Sequence, residues 1–144
     1  MGISCELIRH SSTGATTQDA SVALHLEPEN ILKTLIFIDE KNGKTVGIIL
    51  RGDNKVNIAA VRTAIGCNKL RFARPSEVNE VSGFEIGGVP PFAIIKCDHR
   101  LIDSSLFEKK RVIGAGGHAF CGIKIAATDL RKIPQSIVAS FSIC

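Results

Sequence analysis

The sequence predicts an α/β (α+β) fold, a curved mixed β-sheet flanked by short helices in one domain. Three observations predict it. Strand-like and helix-like segments alternate along the chain; neighbouring strands are joined in some places by hairpin-length turns and in others by short helices; and no repeat, low-complexity tract or linker divides the 144 residues. A chain of this length supports one core, so residues 1–144 are expected to form a single domain. Apolar residues make up 44% and charged residues 22%, the balance of a packed globule rather than a disordered segment. With seven Phe and neither Trp nor Tyr, the core is aliphatic, and a nucleic-acid surface built on a row of stacking rings has few candidates.

Residues 4–9 read as a short strand. Thr16, with Asp19 three residues later, makes a capping-box start for a helix to about Leu26, and Pro28 suits the first turn of a brief helix. Residues 32–39 form a β-rich run. The Asn42-Gly43 pair after it signals a type I′ hairpin into a second strand at 44–50. Asn57 caps a helix whose apolar face is Ile58, Val61, Ala64 and Ile65, with Gly66 just past its end. Residues 70–73 return as a strand, and Pro75 opens a helix to Val81. Further strands are predicted at 93–95, 111–113, 122–126 and 137–141, with a short helix at 128–133.

Residues 1–9 lack the apolar run of a signal peptide, and no window approaches the roughly 18 apolar residues of a membrane span, so a cytoplasmic protein without a membrane partner is expected. Cys5, Cys67, Cys97, Cys121 and Cys144 are odd in number, scattered and without a C-x-x-C pair, which argues against both a disulfide framework and a zinc knuckle. Cys97 and His99 alone make a poor metal site, and neither a metal nor a cofactor is expected. The formal charge of +4 permits a polyanionic partner. Between positions 51 and 74 the chain carries Arg51, Lys55, Arg62, Lys69, Arg71 and Arg74 against the single acid Asp53, either a solvated face or an RNA-binding one.

Three features carry candidate chemistry. Lys33 shares a strand face with Leu35 and Phe37 while Leu32, Thr34, Ile36 and Ile38 line the other; a lysine there either snorkels to solvent or faces a polar cavity. Residues 83–92, GFEIGGVPPF, form a glycine-rich loop stiffened by Pro90 and Pro91, either a tight turn or a rigid loop offering backbone N–H groups to a carbonyl oxygen. Gly114, Ala115, Gly116, Gly117 and His118 make a second glycine stretch that fits neither a dinucleotide fingerprint nor a P-loop.

Taken together, Lys33-Thr34-Leu35 on a strand, the loop from Gly83 through Pro91, Ile102-Asp103-Ser104-Ser105-Leu106, and the glycines at 114–117 closely resemble the YbaK/ProX family. The resemblance runs from about Thr16 to Phe141. That family contains free-standing aminoacyl-tRNA deacylases and the editing domain inserted in bacterial prolyl-tRNA synthetases, and its fold is a curved mixed sheet flanked by helices. By this resemblance Lys33 matches the editing lysine that holds the terminal adenosine end of the tRNA. Gly87–Pro91 matches the G-x-x-x-P loop, with Gly87 and Gly88 on the substrate carbonyl and Gly83 preceding them. Val89, Pro90, Pro91, Gly116, Gly117 and His118 would line the substrate site, and Asp103 matches an acidic residue of structural role.

The chain departs from the family where some members carry a serine and an aspartate near the glycine stretch, for here Ala115 and Gly122 stand. It also enters its first strand almost at once, where members have a leading helix, so a pocket wall or an RNA contact is expected to be absent or supplied differently.

An aminoacyl ester is already activated, so position, oxyanion stabilisation and water suffice for its hydrolysis. The implied activity is deacylation of mischarged tRNA, with Ala- or Cys-tRNA(Pro) as substrates, and a synthetase as a further partner. Two other readings stand beside it. One is a non-catalytic tRNA or nucleotide-binding module; the other is a thiol hydrolase using Cys97 or Cys121 with a histidine.

Overall fold

The computed structural model describes residues 5–9, 30–118 and 121–143. The helices expected at 16–26 and around Pro28 lie outside the described residues. Ten strands are described: β1 Cys5–Arg9, β2 Leu32–Asp39, β3 Thr45–Arg51, β4 Lys55–Val56, β5 Leu70–Phe72, β6 His99–Asp103, β7 Arg111–His118, β8 Cys121–Ala126, β9 Ser136–Ala139 and β10 Ser142–Ile143. Two α-helices, α1 Ile58–Ile65 and α2 Pro75–Ser82, accompany 3₁₀ turns at Pro91–Lys96, Ser104–Glu108 and Ala127–Lys132.

The largest sheet runs β5-β2-β3-β6-β9. Its first three strands pair antiparallel, whereas β3–β6 and β6–β9 are parallel, so the sheet is mixed as predicted. An antiparallel sheet β1-β8-β7 lies beside it, joined through a parallel bridge between Ile31 and Ile113, and β10 pairs with β4. One face of the large sheet, with Phe37, Val46, Ile48, Leu50 and Leu101, packs on Val61 of α1 and on Phe141. The other face buries Leu32, Ile49 and Ile102 against Val112, Ile123 and Ile125 of the second sheet. Aliphatic residues dominate both layers, as the low aromatic content dictates.

The structure amends several local expectations. Asn57 does cap α1, its side chain accepting from the Ala60 N–H at 3.2 Å, and Gly66 ends it in the left-handed region at φ 67°. Of the predicted apolar face, however, Ala64 is exposed and Ala60 takes its place against the core. The hairpin is not type I′, which requires positive φ at both central residues; Gly43 has it, at 74°, and Asn42 does not. The loop closes instead by the Gly43 N–H donating to the Asp39 carbonyl at 2.8 Å, while the Asp39 carboxylate accepts from the Lys41 N–H.

Residues 93–95 are a 3₁₀ turn and not a strand. Pro91 at its start fixes a helical φ. Ile94 then lies on the sheet so closely that a Cβ on Gly47 would sit 2.6 Å from it. The strand β6, interior to the large sheet, is not among the predicted elements, nor are β4 and β10; the strand expected at 137–141 is shifted to 136–139.

Candidate functional site

Lys33 sits near the start of β2, opposite Leu50 of β3, and so on the face that packs against α1. It is half-buried. Its ammonium donates to the backbone carbonyls of Asn54 and, at 3.4 Å, Gly52. Lys33 therefore does not simply snorkel, because the turn between β3 and β4 holds it. Burial pushes the ammonium below the usual lysine range, and nearby Asp53 opposes that. Asp53 is itself gripped by Arg51 through two hydrogen bonds of 3.0 and 2.6 Å. An ammonium has three donors, and these two neutral carbonyls orient it, while the nearby Asp53 charge offsets part of its own.

The loop at 83–91 begins where α2 ends. Gly83 caps α2 at φ 81°, and the adjacent Lys96 ammonium bonds the Ser82 carbonyl at 3.0 Å. A turn follows in which the Gly88 N–H donates to the Glu85 carbonyl at 2.9 Å and Gly87 adopts φ 87°, a conformation that only glycine takes without strain. This separates the two glycines expected to act together. Gly88 is buried with its N–H taken up by the turn, whereas the Gly87 N–H has no partner among the described residues. Val89, Pro90 and Pro91 are buried.

Pro91 leads to the second glycine stretch. A Cβ on Gly114 would lie 2.6 Å from Leu32 Cδ1 and 3.3 Å from Pro91 Cδ, so β2, the proline end of the loop and β7 meet here. Gly114, Gly116, Gly117 and His118 lie within β7, whose register with β8 shifts between Ala115 and His118, the kind of irregularity that glycine in a strand marks. The His118 side chain is outside the described ones. Facing the same side as Leu32 is Thr34, whose Oγ1 is buried with no hydrogen-bond partner among the described residues. Sequence reasoning did not count Thr34 as a site residue; an orphaned hydroxyl appears only once packing is known. The structure thus gathers Leu32, Thr34, Pro91 and Gly114 on one side of β2, while the Lys33 ammonium is turned to the other.

The six cations differ in their partners. Arg51 is clasped to Asp53. Lys69 and Arg71 share Glu40, and Arg71 binds Glu77 bidentately at 2.7 and 2.9 Å. Glu40 and Glu77 both lie outside the stretch 51–74, so the local charge count missed them. Arg62 points back to the Cys67 carbonyl at 3.4 Å, and Lys55 is exposed on β4. Arg74 sits at the N-terminus of α2, where its N–H donates to Glu77 at 2.8 Å. The Arg71 guanidinium holds the Glu77 carboxyl well below its ordinary value, to about 2.

Cys97 is buried, and desolvation pushes its thiol up to about 11. Cys67 is buried too and likewise raised. Neither is a poised nucleophile.

The model of the aminoacyl-tRNA editing domain matches residues 11–133. The chain belongs to the aminoacyl-tRNA editing domain family. It is 31% identical over 104 residues to the proline–tRNA ligase of Syntrophus aciditrophicus, spanning 72% of this chain but only 18% of that ligase. It is 29% identical over 133 residues to the uncharacterized protein YwhH of Bacillus subtilis, spanning 92% of this chain and 83% of that protein. Among solved structures, the hypothetical protein APE2540 superposes with a TM-score of 0.88 at 29% identity, covering 99% of this chain and 93% of that one. A candidate trans-editing enzyme for prolyl-tRNA synthetase superposes with a TM-score of 0.82 at 26% identity, covering 97% and 87%. This editing domain is thus related to prolyl-tRNA synthetases and to translation fidelity. None of its described helices is long and apolar enough to cross a membrane.

Proposed function

We propose that this editing domain, acting as one unit over residues 1–144, is a hydrolase that deacylates mischarged tRNA, with Ala- or Cys-tRNA(Pro) as its substrates and a synthetase as a further partner. The observation that carries this reading is the Lys33 ammonium, half-buried on an editing-domain strand and held by carbonyls of Gly52 and Asn54 rather than by a carboxylate. A cation so placed keeps its attraction for the phosphate of a tRNA terminus. Gly87 supplies a backbone N–H toward the ester carbonyl, with its positive φ holding the turn open. The orphaned Thr34 hydroxyl supplies a polar contact on the side of β2 where Pro91 and Gly114 meet. Gly116, Gly117 and His118 continue β7 beyond Gly114.

The ester needs no covalent intermediate, because its leaving group is a ribose hydroxyl and its carbonyl is already activated. The raised Cys97 thiol disfavours the thiol-hydrolase alternative. Selection among amino acids falls to pocket size, since one methylene changes binding by only about 1 to 3 kcal/mol. The experiment is release of labelled amino acid from a panel of mischarged and correctly charged tRNAs by the purified chain. Hydrolysis of one or a few mischarged species with sparing of the cognate ones is expected. Tight tRNA binding without turnover of any member would replace this reading with the non-catalytic module.

A further inference from the structure

Asp103 ends β6 with only 1% of its surface exposed, and Asn54 in the turn after β3 has 7%. Burying a carboxylate is costly unless hydrogen bonds satisfy it. Here its partners are neutral: Oδ1 accepts from the Phe141 N–H at 2.7 Å, and Oδ2 accepts from the hydroxyls of Ser105 and, at 2.9 Å, Ser142. A carboxylate can only accept, so the Ser142 hydroxyl points its proton at Asp103 and offers its lone pairs elsewhere. It receives the Asn54 side-chain amide at 3.1 Å. The backbone carbonyl of that same Asn54 holds the Lys33 ammonium. Four elements distant in sequence are thereby joined, from β6 through β10 and the β3–β4 turn to β2, and the pairing of Ser142 with Val56 fixes the strands between them.

We propose that Asp103 is a positioning residue for Lys33, acting through Ser142 and Asn54, so that the carboxylate sets where the ammonium points. The proposal rests on the reading of Lys33 given above. An apolar residue at 103 would serve the core better; a carboxylate whose hydrogen bonds converge on one turn is suited to holding that turn still. The lysine stem alone is too flexible to fix its own head, and the two carbonyls do so only if the turn is rigid.

The test separates this network from general stability. Lysine ammonium groups shielded by hydrogen bonds give ¹H–¹⁵N signals, and Lys33→Ala identifies which signal belongs to Lys33. The signal is expected in the wild type, lost or broadened by faster exchange in Ser142→Ala, and restored in Ser142→Thr. Ser105→Ala, which removes a different hydroxyl from the same carboxylate, is expected to leave it in place. In single-turnover assays with Ala-tRNA(Pro), Ser142→Ala should lower the rate by about tenfold, the scale on which small misplacements act, and should add nothing once Lys33 is already Ala. An unchanged Lys33 signal in Ser142→Ala overturns the proposal and leaves the reading of Lys33 standing, as does a rate loss in Ser142→Ala that persists undiminished in the Lys33→Ala background. Wild-type turnover in Lys33→Ala overturns the reading of Lys33 itself.

Discussion

Lys33 and Arg71 are both cations on strands of the same sheet, and they are held in opposite ways. Arg71 is clamped by two carboxylates, bidentately by Glu77 and at 3.8 Å by Glu40, so its charge is cancelled where it stands. Lys33 is fixed by two carbonyl dipoles that orient it, and the Asp53 charge beside it offsets its own only in part. A count of cations along the sequence weighs the two alike. The pairing makes Arg71 a structural clip between β5 and α2, and under the proposed function Lys33 is the one offered to an anionic ligand.

Beyond the lysine itself, the largest expected effect of breaking this contrast is on the glycine loop. Gly87→Val should reduce deacylation by about 10² or more, since a β-branched residue resists φ 87° and the loop would no longer present its N–H donor. Gly88→Ala should act mainly on folding, because it adds a Cβ at a buried position whose N–H is already taken up by the Glu85 turn. Rates set beside thermal melts distinguish the two, and equal rate losses at equal stability would return the glycines to a shared role.

A smaller effect is expected at Thr34. Thr34→Val keeps the shape and removes a buried hydroxyl that has no partner among the described residues. The variant should melt no lower than wild type, while deacylation falls about two- to tenfold, the worth of one ordinary hydrogen bond. A lower melting temperature with unaltered turnover would mean that the hydroxyl serves the fold.

Smaller again is the contribution of the basic stretch to RNA binding. Lys55→Glu with Arg74→Glu should weaken tRNAs of all sequences alike and reduce the slope of log affinity against log salt by roughly 0.7 to 0.9 for each phosphate the protein no longer neutralises. Arg71→Glu should instead loosen the β5–α2 clip. An unchanged slope in the Lys55 and Arg74 double variant would make the stretch a solvated face.

The smallest effect is the acid limb of that clip. The Glu77 carboxyl is depressed from an ordinary 4.5 to about 2, so its contribution to stability is fully present above about pH 4.5 and is lost as pH falls toward 2. NMR titration of Glu77 should follow that window in the wild type and rise toward 4.5 in Arg71→Ala. A Glu77 midpoint that stays low without Arg71 would shift the cause to the Arg74 N–H.

Much of the fold was legible because local rules and tertiary packing agree in it. The bounds of β2 and both caps of α1 follow from β-formers, an Asn and a Gly in their usual places. β6 was not legible. HRLID is short, polar at its start and becomes a strand through parallel neighbours on both sides, β3 and β9, that lie far away in sequence. Residues 93–95 look like a strand by composition, but Pro91 starts a 3₁₀ turn and Gly47 gives Ile94 a seat on the sheet.

The site divides in the same way. Lys33 stood out as a charge in an apolar strand, yet its carbonyl partners lie 19 and 21 residues on, and the Asp103 bonds span 38 and 39 residues. No spacing rule reaches that far. The glycine pair was visible, but which N–H the turn uses depends on Glu85, and that is a property of the folded loop.

The most direct measurement places the two cations side by side. Single-turnover release of alanine from Ala-tRNA(Pro) is followed for the wild type, Lys33→Ala and Arg71→Ala, each with a thermal melt. Lys33→Ala is expected to stay folded and to fall about 10² or more in rate, the scale of a missing positioning group. Arg71→Ala is expected to keep its rate within a few-fold while melting lower. A folded Lys33→Ala with wild-type turnover, or a rate that depends on Arg71 and not on Lys33, would contradict the contrast between the two.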